Sequence, residues 1–577
     1  MADTTVLRGG LVVDGGGGEP YEADIALRGS TILDVGRNLP AGDLEEDVVG
    51  CVVTPGFVDI HTHYDAQATW STQMSPSSAH GVTTVVVGNC GVGFAPCRPQ
   101  DRQALVRLLE GVEDIPEAVM AEGLPWDWES FPEFLDSLDR RARDIDVAAY
   151  LPHSPLRVHV MGQRGLDREP ATPADMALMQ RLAGEAVRAG AIGFSTSRTT
   201  GHRDTLGRPI PSYRAAEDEL KAIARGVADA GGGLLQYVFD TGSDETLDEL
   251  ASAARVARAS HLPFTFALMQ SPARPKQWRV LLDEVAAMNR DGLEVTGQTL
   301  PRPVGMLMGL NLSANPFAFC PSWSKVADLA PAARVAALRD PGLRAALLSE
   351  TPGEPDQPLF RQARSFERMF ELGDPPNYEP DPGEAIAARA AQAGIDPLAF
   401  TYDLLTRGDG DTLLFLPVVN YAEGNLDALR EMLSHPDITL GLGDGGAHYG
   451  LICDSTFPTF ALVHWARDRE RGRLPLAHVV RLLSHDPARR VGLNDRGLIA
   501  PGYKADLNVI DMDRLRLQSP RVVWDLPGGG RRLNQDAEGI VATFVAGAAI
   551  RRNDTATGAT PGSLVRGRRP APAAAPL

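Results

Sequence analysis

Between residues 58 and 442 the chain alternates, again and again, short runs of apolar and often β-branched residues with longer stretches patterned like helices. The runs fall at 58–60, 82–87, 147–151, 191–195, 234–238, 264–268, 293–296 and 439–442. Near-continuous apolar runs joined by helices imply parallel strands covered on both faces. Eight such strands are what a (β/α)8 barrel requires. The predicted fold is therefore α/β, a (β/α)8 TIM-type barrel spanning residues 55–490.

The two ends of the chain have a different texture. Residues 6–53 read as short strands punctuated by glycine, and the same pattern returns at 505–510 and 540–547. Together they predict a small β-sandwich domain built from residues 1–54 and 491–551. Between 311 and 410 no strand run appears, and helical patterns with proline-rich joints predict an insertion on the barrel. Such an insertion either covers an active site or serves as a contact subdomain. From 552 to 577 the composition turns to Gly, Pro, Ala, Thr and Arg, which predicts a disordered tail.

A hydrophobic content of 43% provides ample core, and a formal charge of −19 argues against nucleic acid or an anionic membrane as partner. No run is apolar for long enough to span a bilayer, and the first residues lack the basic start of a signal peptide. The cysteines, Cys51, Cys90, Cys97, Cys320 and Cys453, are scattered and odd in number, so no disulfide framework and a cytoplasmic location are expected. The expected partner is a small-molecule substrate, with homo-oligomerisation left open.

Chemistry in such a barrel belongs at the carboxyl ends of the strands. The first strand ends in Pro55-Gly56-Phe57-Val58-Asp59-Ile60-His61-Thr62-His63. Alternate residues of a strand share a face, so His61 and His63 point the same way and offer two imidazole nitrogens to one metal ion. Cys90 follows the second strand and Asp444 the eighth. A thiolate is a good zinc ligand, and a carboxylate serves as ligand or proton acceptor. Arg198 and Arg203 follow the fourth strand and are candidates to grip a substrate carboxylate. His448 and His202 offer further nitrogens, His448 as a candidate for substrate binding.

These motifs resemble the amidohydrolase superfamily, in its N-acyl-D-amino-acid deacylase (D-aminoacylase) branch. The resemblance runs from about Val6 to Gly547. It is carried by the His61/His63 stretch, by His80-Gly81-Val82-Thr83-Thr84 leading to Gly88-Asn89-Cys90-Gly91, and by Gly190-Ala191-Ile192-Gly193-Phe194-Ser195-Thr196. Asp444-Gly445 and Arg496-Gly497-Leu498-Ile499 to Ala505-Asp506-Leu507 also fit. The resemblance implies that His61, His63 and Asp444 form one zinc position and that Cys90 is a ligand of its neighbour. It further implies a metal-dependent hydrolase of non-peptide C–N bonds, with Asp444 moving the proton. A cyclic-amide hydrolase and a barrel that has become a binding protein are the alternatives.

Two departures stand out. The branch carries a histidine at the ends of strands five and six, where this chain is read as having Tyr237 and Leu268. His261 precedes its strand and belongs to the opposite end of the barrel. The expectation is one zinc rather than two. Tyr237, standing where a metal had been, becomes a candidate catalytic donor to the developing oxyanion.

Overall fold

The computed structural model describes residues 3–353 and 358–573. Eight parallel strands run in chain order: Phe57–Asp59, Val82–Val87, Asp146–Ala149 (resumed at Leu151–Pro152), Gly193–Ser197, Leu234–Val238, Phe264–Ala267, Val295–Thr299 and Ile438–Leu440. Each lies within a few residues of a run expected from sequence. The third strand joins two hydrogen-bonded groups, since Tyr150 N–H donates to Val87 O at 2.9 Å and Ile192 N–H to Ala149 O at 3.0 Å. Beyond the last strand the chain meets the first again: Asp444 N–H donates to His61 O at 3.1 Å, and His63 N–H to Gly445 O at 2.8 Å.

Helices fill the intervals. Pro173–Ala189 starts on a capping box in which Thr172 and Asp175 satisfy each other's backbone N–H groups. Glu217–Asp229, Thr246–Ser260 and Gln277–Arg290 follow the next three strands and bury their apolar faces against them. The continuous Val-rich strand Val82–Val87 is buried at every position, as a strand covered on both faces must be.

The two chain ends meet in one nine-stranded sheet. Its seam is antiparallel pairing of Val52–Pro55 with Leu507–Ile510, Val53 opposite Val509. Leu7, Val12, Ile25, Val53, Leu507 and Phe544 pack a separate core beneath it. The inserted region also packs its own core, around Met308, Phe317, Trp323 and Tyr402. It contains more sheet than expected: Val304–Met308 and Leu414–Val419 flank it as antiparallel partners, and Phe370–Glu371 adds a third short strand.

The expectation of a disordered tail does not hold for residues 552–573. Ala548–Arg552 and Thr555–Ala556 extend the sheet, and Leu564 and Val565 are buried. Residues 561–569 run across the starts of the parallel strands, bridging to Arg143, Val147 and Leu493. A composition poor in large apolar residues hid two that anchor the segment. Residues 574–577 lie outside the described chain. All five cysteines are free thiols, and among the described residues no helix is long and apolar enough to cross a membrane.

Candidate metal centre

His61 and His63 leave the first strand on one face, while Thr62 between them turns away and donates to Val86 O at 2.7 Å. The backbone around them is fixed by buried contacts. Asp59 Oδ1 accepts from His61 N–H at 3.1 Å, and burial pushes the Asp59 carboxyl up to about 8. Cys90 sits in a tight turn after the second strand, in the left-handed region at φ 57°. Its N–H donates to Gln236 Oε1 at 3.1 Å, and the next N–H, of Gly91, to Ser195 Oγ at 3.1 Å. Gly88 opens this turn with φ 77°, and a Cβ there would come within 2.4 Å of Tyr150 O. Only glycine fits that approach. On the other side Gly446, at φ 89°, lets the loop after strand eight close to within contact of the His63 backbone.

The result is a compact set of donor atoms. His61 Nε2 is 3.2 Å from Cys90 Sγ and 3.5 Å from Asp444 Oδ1. His63 Nε2 is also 3.5 Å from Asp444 Oδ1. The ligand atoms of His61, His63 and Cys90 all lie within 4.8 Å of one another, and Asp444 Oδ1 has no hydrogen-bond partner among the described residues. Donors bound tetrahedrally to zinc stand about 3.4–3.8 Å apart, given the usual bond lengths. Two nitrogens, a sulfur and a carboxylate oxygen at these spacings fit a zinc-sized cation.

Electrostatics set the two imidazoles apart: burial works against a charged His63, but Glu113, Asp444 and Cys90 around it raise it well above the ordinary imidazole value. Burial lowers His61 to about 4, so its imidazole is neutral and able to donate a lone pair. Gln298 Oε1 accepts from His61 Nδ1 at 2.9 Å, which leaves Nε2 facing the other donors. Burial pushes the Cys90 thiol up to about 12, which a cation alongside would reverse. Burial also works against the Asp444 carboxylate, but the close imidazoles of His63 and His61 hold it below the usual range.

The sequence pattern of the amidohydrolase family matches residues 45–550. The chain belongs to the amidohydrolase family. Among its relatives, a D-aminoacylase from Alcaligenes xylosoxydans xylosoxydans is 26% identical over 97% of both chains. An N-acyl-D-glutamate deacylase of the same organism is 27% identical over 90% of this chain and 89% of its own. A solved D-aminoacylase structure, studied for its binuclear metal centre, superposes with a TM-score of 0.64 at 23% identity, covering 97% of this chain and 99% of that one. The α/β fold is thus one shared with D-aminoacylase.

In this amidohydrolase several residues lie elsewhere than the sequence suggested. Tyr237 is the first correction. Gln236 points to Cys90, so its neighbour Tyr237 points the opposite way, and its ring packs at 5.6 Å from Phe239 and 5.9 Å from Phe264. Its hydroxyl is buried without a partner among the described residues, and burial raises it above the ordinary phenol range. Leu268 likewise shares the outward face of Phe264 and Phe266. The inward residues near these strand ends are Gln236 and Ala267.

Arg198 is the second correction. Its guanidinium is engaged by Glu249 and donates to Ala215 O at 2.9 Å, away from the histidines. Arg203 is exposed and closes its own loop, donating to Thr200 O at 3.1 Å and Gly207 O at 2.8 Å. Neither reaches the donor cluster. His448 does come close, at 3.5 Å from Glu113 Oε2, and burial lowers it to about 4. His202 hydrogen-bonds Ser197 Oγ at 2.9 Å, and burial, with the charges of His63 and His448, lowers it to about 3. His261 caps the helix Thr246–Ser260 at the other end of the strands.

Three residues of the site escaped sequence reading. Gln236 is the one amide in the apolar run Leu234–Val238, a mark of an inward-facing position, whereas Gln298 lies between threonines in Val295–Thr299 and carried no such mark. Glu113, almost fully buried, lies 3.5 Å from His63 Nδ1, and burial raises it to about 7. An acid closing a helix, where the backbone dipole disfavours it, was the available signal.

Proposed function

We propose that this chain is a metal-dependent hydrolase of a non-peptide carbon–nitrogen bond, acting on N-acyl-D-amino acids or closely related N-acyl compounds. On this reading the eight parallel strands close as a (β/α)8 barrel, residues 55–490. The sheet from both chain ends folds over as a β-sandwich, residues 1–54 and 491–551, and residues 311–410 form an insertion.

The observation that carries the proposal is the orphaned Asp444 Oδ1, 3.5 Å from both His61 Nε2 and His63 Nε2. A protein retaining the fold only for binding has no need of a buried, unpartnered carboxylate oxygen there. His61, His63, Asp444 and Cys90 would hold one zinc ion. When bound, such a cation supplies Lewis acidity, polarising the scissile carbonyl and lowering the pKa of water. Asp444 takes the proton released by the attacking water and hands it to the departing nitrogen. Gln236 and Ala267, facing inward near the ends of the fifth and sixth strands, offer no imidazole to a second ion.

Support for the substrate class comes from the D-aminoacylase and N-acyl-D-glutamate deacylase relatives matched along nearly the whole chain. The test is hydrolysis by zinc-loaded protein of N-acetyl-D-amino acids, their L-enantiomers, and cyclic amides such as hydantoins. Turnover of the D-series alone supports the proposal. Turnover confined to cyclic amides, or none in any series despite bound zinc, overturns it.

A further inference from the structure

His63 Nδ1 and Glu113 Oε1 face each other at 3.5 Å, and each is otherwise without a hydrogen-bond partner among the described residues. Both side chains are about 2% exposed. Burying a carboxylate at this depth is costly unless it serves a partner. The local structure gives Glu113 no other justification. It is the last residue of the helix Arg102–Glu113, at the end where the dipole repels an anion, while Leu105, Val106, Leu108 and Leu109 of that helix are apolar where buried.

The other donor histidine shows what the pairing is for. Gln298 Oε1 accepts from His61 Nδ1 at 2.9 Å, which settles the tautomer and turns His61 Nε2 toward Cys90 and Asp444. Ligating imidazoles commonly give their second N–H to a carbonyl or carboxylate in this way. His63 presents the same problem with a different acceptor.

We infer that Glu113 is a positioning residue of the metal centre, accepting from His63 Nδ1–H so that Nε2 turns its lone pair to the space shared with His61, Cys90 and Asp444. Its second oxygen, Oε2, lies 3.5 Å from His448 Nε2, and its backbone carbonyl accepts from His448 N–H. One side chain thus ties the first strand to the loop that carries Asp444. The loop is braced from a second direction as well, because the adjacent Asp114 accepts from Gly450 N–H at 3.0 Å. The inference rests on the reading of the cluster as a metal centre.

The test is the zinc affinity of the full chain, measured by chelator competition alongside the urea midpoint. Wild type is compared with Glu113→Gln, which keeps the volume and one acceptor, and Glu113→Leu, which keeps neither charge nor acceptor. Glu113→Leu is expected to bind zinc about 10–100-fold more weakly and Glu113→Gln about 3–10-fold more weakly, the range usual for loss of such a partner. A stable variant with weakened zinc binding supports positioning, because a carboxylate that only packed would change the urea midpoint and not the affinity. Wild-type affinity in both variants overturns the inference while leaving the centre intact. Where Glu113→Leu does not fold, wild-type affinity in Glu113→Gln overturns it alone. Absence of zinc binding in wild type overturns the centre, and this inference with it.

Discussion

His61 Nε2 and Cys90 Sγ are 3.2 Å apart, although one follows the first parallel strand and the other the second. A thiol raised to about 12 by burial is unreactive, and one bound to a cation is deprotonated but shielded. Chelation removes that shield. Cys90 is therefore expected to resist iodoacetamide in zinc-loaded protein and to alkylate faster after chelation at high pH, as read by peptide mass spectrometry. Equal labelling in both states would remove Cys90 from the centre.

On the proposed reading Asp444 has two tasks, holding a cation and moving a proton, and Asp444→Asn would impair both while preserving shape. Loss of a positioned proton acceptor alone lowers kcat by about 10²–10⁴-fold. The expected result is a fall at least that large, with weaker zinc binding in the same preparation. Wild-type turnover in Asp444→Asn would contradict the proposed role.

Tyr237→Phe is expected to leave kcat unchanged, since the ring faces Phe239 and Phe264 and the hydroxyl lies away from the donor cluster. Removing a buried hydroxyl without a partner relieves a penalty of about 1–3 kcal/mol. The urea midpoint should stay level or rise. A hundred-fold drop in kcat would return Tyr237 to the catalytic side.

Asp146 gives the fold an acid-sensitive joint. Its carboxylate receives Arg496 Nη1 at 2.6 Å, Lys504 Nζ at 2.8 Å and Ser563 N–H at 2.9 Å. Burial pushes it up, but Lys504 and Arg496 reverse that and hold it below the ordinary carboxylate value. The folded chain binds this proton less tightly than the unfolded chain does. Its contribution to stability is therefore full above the unfolded value of about 3.9 and is lost as pH falls from there toward the folded value. Asp146→Asn should cost about 3–5 kcal/mol at neutral pH by stranding buried cations. The gap in urea midpoint between variant and wild type should narrow in acid, and a constant gap down to about pH 2 would refute the linkage.

Much of the fold was legible because strong local signals agreed with it. Val82–Val87 admits no reading but a buried strand, and His61 and His63 at a strand end announce a shared face. Site residues were lost where the signal has period two. Reading Tyr237 rather than Gln236 as inward is an offset of one, and in a strand that exchanges faces completely. The lone polar residue within Leu234–Val238 was the better guide. Arg198 could not be placed because its partner, Glu249, lies on a later helix and no local pattern links them. The disordered-tail expectation failed because composition averages over residues, whereas Leu564 and Val565 act as two points of attachment.

The seam between Val53 and Val509 also bears on how the chain is made. As synthesis proceeds, the edge of Val52–Pro55 that faces Leu507–Ile510 stays unpaired until those residues have emerged, and Asp146 waits still longer for Ser563. Such distant pairings form slowly, and an open strand edge invites the wrong neighbour meanwhile. A chain cut before Leu507–Ile510 would therefore be damaged at its beginning as surely as at its end.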